Sequence, residues 1–318
     1  MNNAQETMKN EQIKDRKTFR YPIFIVVGLM IYAGCTRDDA TITDPVAYKA
    51  EIGQWRNERL THLKARNGWL NLAGLYWLQE GLNTFGSDTS NTIVLPATAP
   101  SFIGILELNG DSVYLRQTFL PVMIDSLPAA NIRIKDDASG EPDIMSLNNY
   151  SWHIIKRGNK YGIRLRDYES ALVDQLDSLP YYETDIKWRI VADYKPFEVP
   201  EKQKVQTVIG TEVENLIPGE LTFRVDGKKM SLFPIASAEG LSLVFGDRTN
   251  GDETYPAGRF MDISKPDENN KVIIDFNKAY NPPCAFTPYA TCQLPHRGNI
   301  LPVKIEAGEK AVHLSSVP

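Results

Sequence analysis

Three pairs of apolar segments, each joined through residues that tolerate a left-handed backbone, limit what this chain can become. Residues 105–108 and 112–115 flank Asn109-Gly110, residues 152–156 and 161–165 flank Gly158-Asn159, and residues 221–225 and 229–233 flank Asp226-Gly227. A tight hairpin turn needs positive φ at its centre, which Gly, Asn and Asp adopt at least cost. Three antiparallel hairpins are therefore expected. Further strands are expected over 187–192, 205–213, 241–245 and 271–276, punctuated by Pro96, Pro100, Pro121, Pro128, Pro180, Pro196 and Pro200. Ahead of them, Val46, Ile52, Trp55, Leu60 and Leu63 recur at roughly helical spacing, so a helix is expected over 45–66. Asp44 can cap it, with Pro45 at the first helical position and Gly68 beyond its end. The expected fold class is mainly β: an N-terminal helix followed by antiparallel β-sandwich or barrel modules. The polar stretch 168–180 is expected to form a short helical turn and to separate an N-terminal module, 45–180, from a C-terminal β module, 181–318.

The first 34 residues read differently. Lys9, Lys14, Arg16, Lys17 and Arg20 form a basic leader before an uncharged apolar run from Pro22 to Gly34. Such a run behind basic residues is the export-signal pattern, and 13 residues fall short of the about 20 that a spanning helix needs. Ala33 and Gly34 followed at once by Cys35 resemble the lipobox of bacterial lipoproteins, although Tyr32 stands where that family usually has leucine. The resemblance implies cleavage before Cys35, lipid on its thiol, and residues 35–44 as a tether. It implies a cell-envelope protein held on a membrane, and Thr36 rather than aspartate after Cys35 points to the outer membrane facing the periplasm. Firm attachment needs more than one acyl chain, which a triacylated cysteine supplies.

Cleavage leaves 284 of 318 residues, with 30 basic and 37 acidic side chains, a net charge of −7. That balance argues against a nucleic-acid partner, which would require a basic surface. Lipidation of Cys35 would leave Cys284 and Cys292 as a pair. In an oxidising compartment they are expected to form a disulfide, worth about 2–3 kcal/mol by the chain-entropy argument. A zinc site and a catalytic Cys284 or Cys292 with His296 as base are the alternatives.

Two family resemblances add to this reading. Leu78-x-x-Gly81, Phe85-Gly86, Asn91-Thr92-Ile93-Val94-Leu95-Pro96 and the segment from Gly104 to Leu115 resemble the front half of a forkhead-associated β-sandwich. Ser87 stands where that family has its phosphate-binding arginine, and no histidine follows Ser101, so the resemblance implies a scaffold and not phosphopeptide binding. The other covers most of the mature chain. Its blocks are Gly68-Trp69-Leu70-x-Leu72-x-Gly74-Leu75-Tyr76-Trp77-Leu78, Thr254-Tyr255-x-x-Gly258-Arg259-Phe260, Asp275-Phe276-Asn277-x-Ala279-Tyr280-Asn281-Pro282-Pro283-Cys284-Ala285-Phe286, and Ala307-Gly308-Glu309. They resemble a bacterial family known as domain of unknown function 1684. This implies a shared fold and no particular activity.

The densest polar constellation lies between 247 and 292. Asp247, Glu253, Tyr255, Arg259, Asp275, Asn277, Tyr280 and Asn281 form the candidate ligand site. Carboxylates can move protons, Arg can clamp an anion and Tyr can stack, a set suited to a glycan or carboxylate ligand. Competing readings are an Arg259–Asp275 ion pair with Asn side chains capping turns, and a calcium loop over 247–253. The sequence has no Gly-x-Ser-x-Gly elbow, His-Glu-x-x-His pair, phosphate loop or dinucleotide fingerprint, and no cofactor is expected. The functional expectation is binding of a small molecule, glycan or protein partner. The alternative is an envelope hydrolase using Asp247, Glu253 or Asp275.

Overall fold

The computed structural model describes residues 44–129, 131–238, 240–312 and 314. The leader, Cys35 and most of the tether lie outside the described residues. No helix among the described residues is long and apolar enough to cross a membrane.

Helix α1 runs Pro45–Lys64. Asp44 starts it by accepting the amide protons of Val46 at 2.8 Å and Ala47 at 3.1 Å, which satisfies two of the donors a helix start leaves free. Tyr48, Ile52 and Leu63 are buried, while Val46, expected in the apolar face, is 78% exposed. Gly68 follows because the chain folds back so closely that a Cβ there would sit 2.2 Å from the Leu63 carbonyl oxygen.

Two sheets enclose the first core. One has six strands in the spatial order Leu72–Trp77, Lys160–Asp167, Tyr150–Arg157, Met145–Leu147, Met123–Ile124, Leu127–Pro128. The other has five, Ile93–Val94, Gly81–Gly86, Gly104–Asn109, Ser112–Thr118, Ile132–Ile134, antiparallel except for its first pair. Phe85, Leu106 and Leu115 of one and Trp152, Ile154, Ile163 and Leu165 of the other share one apolar cluster, with Phe85 edge-on to Trp152 at 5.6 Å. That is a sandwich, mainly antiparallel.

The second core lies between a four-stranded sheet, Lys228–Leu232, Glu212–Val225, Arg189–Gln206, Lys271–Asp275, and a three-stranded one, Ile235–Ala236, Leu241–Phe245, Arg259–Ile263. All three expected hairpins form. Asn109 pairs with Ser112, Arg157 with Lys160 and Val225 with Lys228, with positive φ at Gly110, Gly158, Asp226 and Gly227.

Two strand expectations are corrected. Strands at 187–192 and 205–213 were expected as separate elements, with Pro196 and Pro200 between them. A single 18-residue strand, Arg189–Gln206, carries both prolines. It tolerates them because its pairing with Lys271–Asp275 covers only residues 189–193, and its register with Glu212–Val225 breaks between Pro196 and Glu201. The segment 205–213 is interrupted by a turn in which Thr207 N–H donates to Thr211 O at 2.8 Å.

A third, smaller cluster joins Leu63 of α1 and Leu70 with Leu172, Leu176 and Leu179 of the segment after the first core, and Phe286 of the C-terminal half. The polar stretch 168–180 does contain a helical turn, Ala171–Gln175. This cluster seats α1 beside the C-terminal half, and the candidate site follows from that.

Candidate functional site

Trp55, Glu58, Arg59 and His62 stand at i, i+3, i+4 and i+7 and so share one face of α1. Opposite them lie Trp69, Phe260, Asp262, Tyr280 and Pro283, and the two sets line an open cleft of about 420 Å³. Four of its walls are aromatic. Tyr280 is fixed twice: its backbone exchanges hydrogen bonds with Phe260, both at 2.8 Å, and its hydroxyl donates to Asp262 at 2.8 Å. Burial, reinforced by the Asp262 carboxylate, pushes the Tyr280 phenol well above its ordinary range, so it stays a donor.

Arg59 holds the floor. Its guanidinium lies 4.6 Å from the Tyr280 ring centroid and 5.7 Å from that of Phe286. Its Nε meets Glu309 at 3.0 Å and its Nη2 donates to the Asn281 carbonyl at 2.9 Å. Glu309 is fully buried and also accepts the Asn281 amide at 2.7 Å. Burial raises its carboxyl above the usual value, opposed by Arg59 and the Asn281 amide. Residues 250 positions apart in the chain thus meet at one guanidinium. A second depression, about 490 Å³, is lined by Lys187, Arg224, Asp226, Lys304 and Glu306 with one aromatic, Trp188, and offers no comparable stacking surface.

Of the eight residues singled out in sequence, only Tyr280 lines the cleft; Asn281 lies directly behind it. Arg259 pairs not with Asp275 but with Asp247, at 2.6 Å, both side chains fully buried. Its guanidinium also donates to the carbonyls of Ile305 and Ala307. Asp247 further accepts from Thr249 and the Ile305 amide, so both groups are spent inside the fold. Asp275 and Asn277 form another buried knot. The Tyr48 hydroxyl donates to Asp275 at 2.9 Å, and Asn277 Nδ2 donates to Tyr48 at 2.9 Å, tying α1 to the turn Phe276–Lys278. Glu253 is part-exposed near Lys304 and Lys310, at 3.5 and 3.7 Å. Among the described residues no group of three or more His, Cys, Asp or Glu side chains is placed to hold a metal ion.

The Cys284–Cys292 disulfide is corrected as well. Both are free thiols here, with the Cys284 amide donating to the Cys292 sulfur at 3.1 Å, and Tyr255 donating its hydroxyl to the Cys284 carbonyl at 3.0 Å. The neighbouring Cys292 side chain lowers the Cys284 thiol, while Cys284 and burial push the Cys292 thiol up.

Sequence reasoning missed Trp55, Glu58, Arg59 and His62 as a set. Their helical spacing was visible, but α1 was read for its apolar face and not for a second one lining a cleft. Trp69 carried no signal beyond its motif, and Asp262 carried none.

A family model described as protein of unknown function (DUF1684) matches residues 174–310. A solution NMR structure of an uncharacterized protein from Haloarcula marismortui is 31% identical, covering 43% of this chain and 78% of that one, at a TM-score of 0.35. No curated protein matches.

Proposed function

Since the chain belongs to the DUF1684 family, whose description assigns no activity, we propose from the site itself that this is a cell-envelope lipoprotein, anchored through Cys35, that binds a small molecule or glycan in the cleft beside α1. The observation that carries the binding reading is the composition of that cleft: four aromatic side chains with Arg59, Glu58, His62 and Asp262 around about 420 Å³. Flat apolar faces ringed by a few convergent polar groups are how proteins hold sugars and other small ligands. Tyr280 and Arg59 are already immobilised by Asp262, Glu309 and Asn281, so little ordering cost falls on binding. Hydrolysis by Asp247, Glu253 and Asp275 draws no support from their placement, because two are buried in internal pairings and the third faces lysines.

The test is a panel of envelope glycans and small metabolites titrated against the protein, with native mass spectrometry of the purified protein alongside. Binding that Trp55→Ala or Tyr280→Leu abolishes supports the cleft; a bound ligand indifferent to both substitutions, or none at all, sinks it. The anchor is tested separately. Cys35→Ser should release the protein from the membrane fraction, and unchanged processing and attachment would refute lipidation.

A further inference from the structure

The face of the six-stranded sheet that turns away from the first core carries an imbalance of charge that the cleft does not use. Register pairs His153 with Arg164 and Ser151 with Arg166, and Arg157 lies four residues along the strand from His153. Alternation places these side chains on one face, away from Trp152, Ile154, Ile163 and Leu165 in the core. Three arginines therefore crowd a small area. Arg157 and Arg164 converge on a single neutral atom, the Thr291 hydroxyl, at 3.1 and 3.3 Å. Trp69 closes one side, 5.8 Å from the Arg164 guanidinium.

Among the described residues one carboxylate answers them: Asp137, 2.8 Å from Arg157. Arg166 donates to the Gly68 carbonyl, and neither it nor Arg164 has an ion pair among the described residues. Arg164 is only 6% exposed, and its Nε is buried with no hydrogen-bond partner. Arg259 also has an unpartnered Nε, but its charge is met by Asp247. The neighbouring Cys292 supplies no charge, since its thiol accepts the Cys284 amide proton at 3.1 Å and the Cys284 side chain and burial push it up. Burying a guanidinium without an anion is strongly unfavourable, so a fold that does so is expected to recruit one.

We propose that Arg157, Arg164 and Arg166, with Thr291, form a binding site for a doubly charged oxyanion, a phosphate or sulfate group. Guanidinium forks match the oxygen edges of such groups, and the Thr291 hydroxyl can donate once both arginines turn to the anion. Two of the three positive charges are left over after Asp137, which sets the preference for a dianion over chloride or a lone carboxylate. Arg157, with 23% of its side chain exposed, stands at the entrance. The same field acts on His153: burial, then Arg164 and Arg166, pull its imidazole down to about 4, so it is neutral at pH 7 and leaves the site's charge to the arginines. The site is independent of the cleft reading, Trp69 being the wall they share.

The experiment is calorimetric titration of the protein with inorganic phosphate, sulfate and glycerol 3-phosphate, each against chloride at matched ionic strength. One saturable site for phosphate or sulfate is expected, weakened about tenfold or more by Arg164→Met and by Arg157→Gln. Thr291→Val should weaken it less. Binding of glycerol 3-phosphate would identify the ligand as the phosphate end of a larger molecule, and its exclusion would identify a free ion. Arg157→Gln, at the partly exposed entrance, keeps the test decisive if Arg164→Met does not fold. Absence of saturable binding by any of the three, or binding that Arg157→Gln leaves unchanged, overturns the proposal.

Discussion

Removing either partner of the buried Arg259–Asp247 pair should cost at least as much as removing both. With Arg259→Met, Asp247 keeps its three donors from Thr249 and Ile305 but loses the only cation within reach of Oδ2 among the described residues, and the Ile305 and Ala307 carbonyls lose theirs. An uncompensated buried charge of this kind costs about 3–5 kcal/mol. Asp247→Asn leaves the complementary defect, a buried guanidinium with two carbonyls and no anion, at about the same cost. In the double variant D247N/R259M no buried charge remains, and the residual penalty is the two carbonyls, about 1–3 kcal/mol each at most. The double variant should therefore be no less stable than either single one, with a coupling energy of about 3 kcal/mol or more. Against a total stability of about 5–15 kcal/mol, this is readable by equilibrium urea unfolding followed by tryptophan fluorescence. Costs that simply add, within about 0.5 kcal/mol, would mean the two side chains act independently and would refute the reasoning.

Four further outcomes follow from the same structure. Tyr48→Phe strips Asp275 of a donor and Asn277 Nδ2 of one acceptor, while Asn277 keeps its bonds to Asp275, so a loss of about 1–2 kcal/mol is expected, with faster amide exchange in α1; unchanged exchange would show that the helix is held elsewhere. Glu309 has a carboxyl raised by burial, so its contribution to stability is fully present below the unfolded value near 4.5 and is lost as pH rises through the folded one. Glu309→Gln should accordingly gain on the wild type between pH 4 and pH 7 in urea melts, and the reverse trend would mean that Arg59 outweighs burial. Iodoacetamide labelling mapped by mass spectrometry should modify Cys284 before Cys292, because the former is less buried and has the lowered thiol; equal rates would contradict the assigned asymmetry. Gly308→Ala should destabilise by about 2 kcal/mol or more, since the residue has φ +79° and a Cβ there would lie 2.5 Å from the Ala279 carbonyl oxygen; a circular-dichroism melt within 1 °C of wild type would count against that strain.

Local chemistry alone made several elements legible. Asn109-Gly110, Gly158-Asn159 and Asp226-Gly227 specified their hairpins because positive φ is a property of the residue and its neighbours, and Asp44-Pro45 specified the start of α1 for the same reason. The mainly β class and the strand Leu241–Phe245 were readable on the same terms. Pro196 and Pro200 misled, since whether a proline breaks a strand depends on whether the neighbouring strand needs its missing N–H, and Lys271–Asp275 ends before reaching them. Only the tertiary structure decided that Arg259 faces Asp247 and not Asp275, that Arg59 reaches Glu309, and that Arg164 is buried with no carboxylate paired to it among the described residues. Charges act through space and burial, and neither is a function of distance along the chain. A sequence can show which groups are available, but the packing of α1 and of the loop at Thr291 chooses which are neutralised inside the fold and which are left to bind something else.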